Sequence, residues 1–264
     1  MRVPEVIVSV AHSPHISTWE VTANALMRHF TDSEIFVIVP DSDVRNFRAV
    51  TDNAIRVVPE TKVVGKLAKV LRKRIGTEAR SRFGWYLQQF IKLEFIASHS
   101  PGNDTLIWDA DTVPLRPINF YGPNDSVYFF QGKGLHQPYL DQLSRLWGRP
   151  CKTEISFVAQ TMLVPADWME MLVRDLEDGT GKPWWRRVID SIDFSERSGF
   201  SEYEMLGNYF SMRFPSQVSS VEGKWDRNGW NHFSSGAETL KTGGLVAETL
   251  DLDFVAFELW QKPQ

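Results

Sequence analysis

Residues 84–117 read GWYLQQFIKLEFIASHSPGNDTLIWDADTVPLRP. Apolar side chains recur at helical spacing through 84–97, SHSPGN has loop composition, and TLIW is a short run with no polar face. A strand of that kind belongs in a parallel sheet covered by helices. Toward the N-terminus the same alternation repeats. Residues 5–11 read as a strand, followed by a helix that opens at a Ser17-Thr18 cap and carries Val21, Ala25 and Leu26 on one face. Residues 34–41 and 54–59 read as two further strands, and a helix with a basic outer face runs from Val63 to Leu71. This order predicts an α/β, Rossmann-related three-layer α/β/α sandwich with a mostly parallel central sheet. Beyond residue 117 the pattern loosens: strands are expected at 126–131, 154–164 and 254–257, helices at 167–177 and 201–209, and a long loop at 223–236. Neither an internal repeat nor a low-complexity linker interrupts the chain, which predicts a single domain over 1–264.

Composition narrows the class. Hydrophobic residues at 42% and charged residues at 23% exclude disorder and fibre. The lone Cys151 offers no disulfide and no zinc spacing, so a reducing compartment is expected. The longest apolar runs are strand-length, too short for a membrane span, and the apolar part of MRVPEVIVSVAHSP is too short for a secretory signal. A cytoplasmic protein without a transmembrane segment is the expectation. A net charge of −4 argues against nucleic acid as partner. The charge is uneven: Lys62, Lys66, Lys69, Arg72, Lys73, Arg74, Arg80 and Arg82 against Glu78 give residues 62–82 a net +7 and leave −11 on the remainder. Such a patch suits one anionic partner, either a phosphate-bearing substrate or the inner face of a membrane touched peripherally.

The chemistry signal is Asp109-Ala110-Asp111. Composition alone predicts about one Asp-x-Asp spacing by chance, and the chain has three, at 41/43, 109/111 and 251/253. Context separates them, because Asp109 ends an apolar strand, and open α/β sheets bind ligands at the carboxyl ends of their strands. Two carboxylates on a turning backbone can converge on one hard cation, Mg²⁺ or Mn²⁺, shared with substrate phosphates. The preceding helix places Trp85, Gln88, Gln89 and Lys92 on one face, where an amide pair and an ammonium suit a nucleotide or its diphosphate. Asp109 is a second candidate for that contact. Trp184, Trp185, Trp225 and Trp230 lie in polar or Gly-containing stretches and can stack on sugar rings or bases, whereas Trp168 and Trp260 are assigned to the core. Ser201-Glu202-Tyr203-Glu204 reads as a helix start, and Ser-x-x-Glu is also a capping box.

The segments WYLQQFIKLEFIA, LIWDADTVPLRPINF, HQPYL, SFVAQTMLV, SEYEMLGNYF and DFVAFELW occur in this order. Together they resemble a bacterial family, formerly of unknown function, of GT-A-fold glycosyltransferases patterned W-x-x-Q-Q-x-x-K-L, D-A-D-T-V, H-x-P-Y and E-Y-x-x-x-G-x-Y. The resemblance spans residues 84–260 and is most specific at the DAD block. Two departures stand out: Gln160-Thr161 where the family often carries His, and Leu206 near a usual Tyr. The resemblance implies a GT-A-like fold, with residues 1–115 as the nucleotide-binding half and 116–264 as the acceptor-binding half. It implies transfer of a sugar from a nucleoside-diphosphate sugar, most commonly of UDP, to a glycan or lipid-linked acceptor in bacterial polysaccharide or glycoconjugate synthesis. Asp109 and Asp111 would hold Mn²⁺ or Mg²⁺, with His232 as a late third ligand. Lys92, or else Lys224 or Arg227, would meet the diphosphate. Glu202 or Glu204 would take the acceptor's proton, and His136 would touch the acceptor or serve as a third metal ligand. Three rivals stand beside this reading, one of them a scaffold protein on the same fold. A nucleotidyltransferase would show a Gly-rich phosphate loop after the first strand, which VAHSPHISTW lacks; a non-catalytic nucleotide- or sugar-binding module would share the fold without turnover.

Overall fold

The structure is a computed structural model that describes residues 2–76, 80–242 and 250–262; Glu78, the one acid of the basic stretch, lies outside the described residues. The chain begins as β1 (Val6–Val10), α1 (Ile16–His29), β2 (Glu34–Val39), α2 (Val44–Val50), β3 (Arg56–Pro59), α3 (Thr61–Val64), α4 (Leu67–Arg74), α5 (Phe83–His99) and β4 (Thr105–Trp108). It continues through β5 (Thr112–Pro114), β6 (Val127–Phe130), α6 (Gln137–Trp147), β7 (Thr161–Val164), α7 (Ala166–Glu177), α8 (Trp184–Ser191), α9 (Glu202–Arg213), β8 (Val218–Val221), β9 (Trp225–Asp226) and β10 (Phe254–Ala256).

The central sheet runs β3-β2-β1-β4-β7. Its first four strands are parallel, and β7 closes the edge antiparallel to β4. Ile7 sits between Ile35 and Leu106 in register. β1 and β4 are buried along their whole length, as strands covered on both faces must be. This is the mixed α/β architecture with a mostly parallel sheet that the sequence predicts. Parallel strands deliver their carboxyl ends to one edge, so the turns after β1, β2 and β4 emerge together. Helix α5 packs on β1, α3, α7 and α9, which buries it on nearly every face, including Gln89 and Lys92. Two smaller sheets, β5-β10-β9 and β6-β8, complete the second half. Among the described residues no helix is long and apolar enough to cross a membrane.

Several local expectations are corrected. The basic helix breaks at Gly65, whose φ of +47° only glycine adopts freely, so it becomes α3 and α4. The strand expected over 154–164 shrinks to β7, because Gln160 enters it with φ +66°. Helix α1 starts at Ile16, with His15 at its N-cap and no capping side chain, rather than at Ser17. Helices α2, α6 and α8 and strand β5 were not read from the sequence.

Candidate active site

Strand β4 runs out at Trp108, and the backbone of the DAD turn is fixed from three sides. Asp109 N donates to Gln160 O at 2.9 Å, Thr112 N to Asp109 O at 3.0 Å, and Phe257 N to Asp111 O at 2.7 Å. The indole of Trp108 reaches across to Thr112 O at 2.6 Å. The turn is therefore clamped between β7 and the end of β10.

On the inner side, Lys92 Nζ donates to Asp109 Oδ1 and, at 2.7 Å, to Glu202 Oε1. Tyr203 donates its hydroxyl to the same Asp109 oxygen at 2.8 Å, and the ammonium lies over the Tyr203 ring at 4.9 Å. Gln89 Oε1 accepts from Glu202 N at 3.1 Å, while its amide donates to Trp85 O. Burial alone would depress the Lys92 ammonium; Asp109 and Glu202 outweigh it and hold the group above its ordinary value. Burial, opposed by Lys92, raises Glu202. These contacts correct the expectation that Lys92 and Gln89 meet the nucleotide. At 3% and 2% exposure, they are the internal struts that tie α5 to the start of α9.

On the outer side, Asp111 accepts no hydrogen bond from another side chain among the described residues, and His15 Nε2 lies 3.9 Å from it. Burial, then the charges of Asp109 and Glu258, push its carboxyl up to about 7. Burial, then neighbouring His12, lowers His15 to about 4 and keeps it neutral. Glu258 accepts from Gln160 Nε2 at 2.9 Å and lies 3.4 Å from Arg227 Nε. The strained backbone at Gln160 thus aims its amide at Glu258 while its carbonyl holds Asp109. Asp109, Asp111 and Glu258 form an acidic cluster faced by Arg227, and oxygen donors of this type suit a hard divalent cation. Among the described residues no three His, Cys, Asp or Glu side chains are arranged to cage a metal ion.

The remaining sequence candidates divide. His232 turns Nε2 to Asp226 at 2.8 Å, which leaves Nδ1 as the ring nitrogen with which it could meet a metal. Both glutamates of α9 are enclosed. Glu202 is 3% exposed and paired to Lys92, and Glu204 is 1% exposed, accepting from Ser156 Oγ, Phe157 N and Asn208. Half of the capping box is present, since Ser201 Oγ accepts from Glu204 N at 3.3 Å. Trp184 is core, stacked on Phe90, which corrects its expected role on a sugar. Trp85 is half-buried beneath Arg82, and Trp185 and Gln88 are half-buried. Trp230 donates to Glu258 O at 3.2 Å. His136 is exposed, with Nε2 3.0 Å from Ser198 O. Trp260, assigned to the core from sequence, is 72% exposed. Sequence reasoning missed Tyr203, His15 and Glu258. Tyr203 lay inside the quoted SEYE block; Glu258 follows the last strand in FELW and carries no spacing that marks it.

The family model described as "Family of unknown function (DUF6492)" matches residues 10–214, and the chain belongs to that family. No curated protein sequence matches it. Among solved structures, mouse xyloside xylosyltransferase 1 in its apo form is similar with a TM-score of 0.55 and 12% identity, over 99% of this chain and 100% of that one. The galactosyltransferase LgtC in complex with donor and acceptor sugar analogues gives 0.46 and 12%, over 96% and 86%. The glycosyltransferase GlyE of Streptococcus pneumoniae TIGR4 gives 0.45 and 16%, over 99% and 56%. At 12% identity the first likeness concerns the fold, which is that of the GT-A glycosyltransferases.

Proposed function

We propose that this DUF6492 protein transfers a sugar from a nucleoside-diphosphate sugar, with UDP the favoured nucleotide, to a hydroxyl of a glycan or lipid-linked acceptor. The observation that carries this reading is the Asp109/Asp111 pair at the carboxyl end of β4, with one carboxylate locked from within and the other left facing outward. Asp109 and Asp111 would hold a Mn²⁺ or Mg²⁺ ion, which as a Lewis acid neutralises the charge developing on the departing diphosphate.

The chain's own residues do the rest. Lys92 and Tyr203 fix one oxygen of Asp109 and so leave its other oxygen to face the donor. With Lys92 enclosed and Lys224 paired to Asp251 at 2.6 Å, Arg227 is the cation we assign to the diphosphate, since it already faces the acidic cluster. Preorganised positive charge at a leaving group supplies several kcal/mol of transition-state stabilisation. Glu258, beside the aspartates and raised above its ordinary value first by burial, is the carboxylate we assign to the acceptor's proton. His136, Trp185 and Trp230 belong to the acceptor-binding half, residues 116–264, and residues 1–115 carry the nucleotide. The setting is bacterial glycoconjugate synthesis on the cytoplasmic side.

The test is release of nucleoside diphosphate from a panel of nucleotide sugars with Mn²⁺, with water or simple glycosides as acceptor. Release from one donor class, lost in Asp111→Asn, is expected; no release from any donor contradicts the reading.

A further inference from the structure

We infer that the face built by α4 and α8 docks on an anionic phospholipid surface. This deepens the glycosyltransferase reading, on which it rests for its purpose, by naming where the acceptor is met. Helix α4 buries Leu67 and Leu71 against the body. Lys66, Lys69, Arg72 and Lys73 are all exposed on its outside. A merely solvated helix face mixes signs and pairs them across one turn. Here residues 61–76 contain no acid at all, so Lys66/Lys69 and Lys69/Lys73 are like-charge neighbours that weaken the helix.

The fold enlarges the patch beyond the contiguous stretch. Helix α8 packs against α4 and adds Arg186 and Arg187. One carboxylate, Asp190, serves three cations, with Arg74 at 2.6 Å, Arg186 at 3.1 Å and Lys182 at 3.5 Å. Arg187, half-buried, donates to the carbonyls of Asp175, Leu176 and Leu146 in the last turns of α7 and α6. Among the described residues no ion pair involves Lys66, Lys69 or Lys73. Because the rest of the chain is strongly acidic, the molecule is polarised, and a charged plane would orient it.

The surface chemistry favours lipid over other polyanions. The large apolar side chains exposed among the described residues are Leu135, Met212, Leu259 and Trp260, and none belongs to α4 or α8. A protein interface of any strength needs such an anchor. Nucleic acid would need free aromatic platforms, but Phe83 and Trp85 are capped by the guanidinium groups of Arg72 and Arg82. What remains is attraction between a cationic surface and an anionic one. The patch also leads to the site: Arg82 donates to Ser198 Oγ at 3.1 Å, His136 meets Ser198 O at 3.0 Å, and Ser198 lies just before the start of α9. A lipid plane against α4 would therefore adjoin the acceptor side.

The experiment is co-sedimentation of the full chain with vesicles of phosphatidylcholine alone, or of phosphatidylcholine mixed with phosphatidylglycerol, across a salt series. The expected result is sedimentation with the mixed vesicles only, weakening as salt rises. Each cation removed should cost roughly fivefold in partitioning. The Lys66→Gln/Lys69→Gln/Lys73→Gln variant should then lose about a hundredfold with a melting temperature no lower than that of wild type. Absence of binding to the mixed vesicles at physiological salt, or equal binding by the triple variant, overturns the proposal. Vesicle binding is read without turnover, so failure of the glycosyltransferase reading would leave this result standing, and the converse holds.

Discussion

The two aspartates of the DAD turn stand one residue apart in opposite surroundings. Asp109 is held by a buried lysine, a tyrosine hydroxyl and, through Lys92, the first turn of α9. Asp111 faces a neutral imidazole and further acids, and among the described residues no other side chain donates to it. The inner wall is built as a structural core is built, with its charges paired. The outer wall is left electrostatically unfavourable, as functional sites are when their charge awaits a ligand. Inner-wall changes should therefore appear as lost stability, and outer-wall changes as lost function with stability kept or gained.

The largest break in this comparison is Lys92→Met. It strands Asp109 and Glu202 as buried uncompensated carboxylates, and a cost of about 3–5 kcal/mol is expected in urea unfolding. A cost below about 1 kcal/mol, the range of a surface pair, would show that the inner wall is not a structural clamp. Next comes Glu258→Gln on the outer wall. Turnover should fall by at least about 10²-fold, while nucleotide-dependent stabilisation persists; loss of both together would make Glu258 a binding group.

A third change, Asp111→Asn, separates the walls by sign. Between the ordinary carboxylate value of 3.8 and about 7, the folded chain keeps a proton on Asp111 that the unfolded chain has lost. Wild-type stability contributed by this group thus falls as pH rises through that window. The asparagine variant should melt higher than wild type above neutral pH, with the difference shrinking toward pH 4. The scale is about 1.4 kcal/mol per unit displaced, reduced because the side chain is 16% exposed. A variant that melts lower at alkaline pH would mean Asp111 has a cationic partner after all. The smallest effect belongs to His232→Ala, which should leave any metal-dependent stabilisation unchanged, since the ring serves Asp226.

The sheet was legible because β1, β2 and β4 are short, largely apolar and spaced by helices, a pattern that few arrangements other than a covered parallel sheet accommodate. Helix α5 was legible for the same reason, but the identity of its partners was not. A face bearing Trp85, Gln88, Gln89 and Lys92 reads identically whether it meets a nucleotide or another helix, and only the docking of α9 decides. The SFVAQTMLV segment reads as one long strand until the left-handed backbone of Gln160 interrupts it. Helix α6 had signals that could have been used: Pro138 in its first turn and Gly148, at φ +65°, at its end. Glu258 reaches the site through a pairing of β10 with β5 between residues far apart in sequence, and no local periodicity carries that information.

The central claim is that Asp111 is left open for a cation shared with a pyrophosphate. Its most direct test is the melting temperature of wild type and Asp111→Asn with UDP, with Mn²⁺, and with both. Wild type should gain stability with the two together, by about 2.7 kcal/mol at one hundred times the dissociation constant, and the variant should gain nothing that depends on the metal. An equal metal-dependent gain in both proteins would contradict the claim.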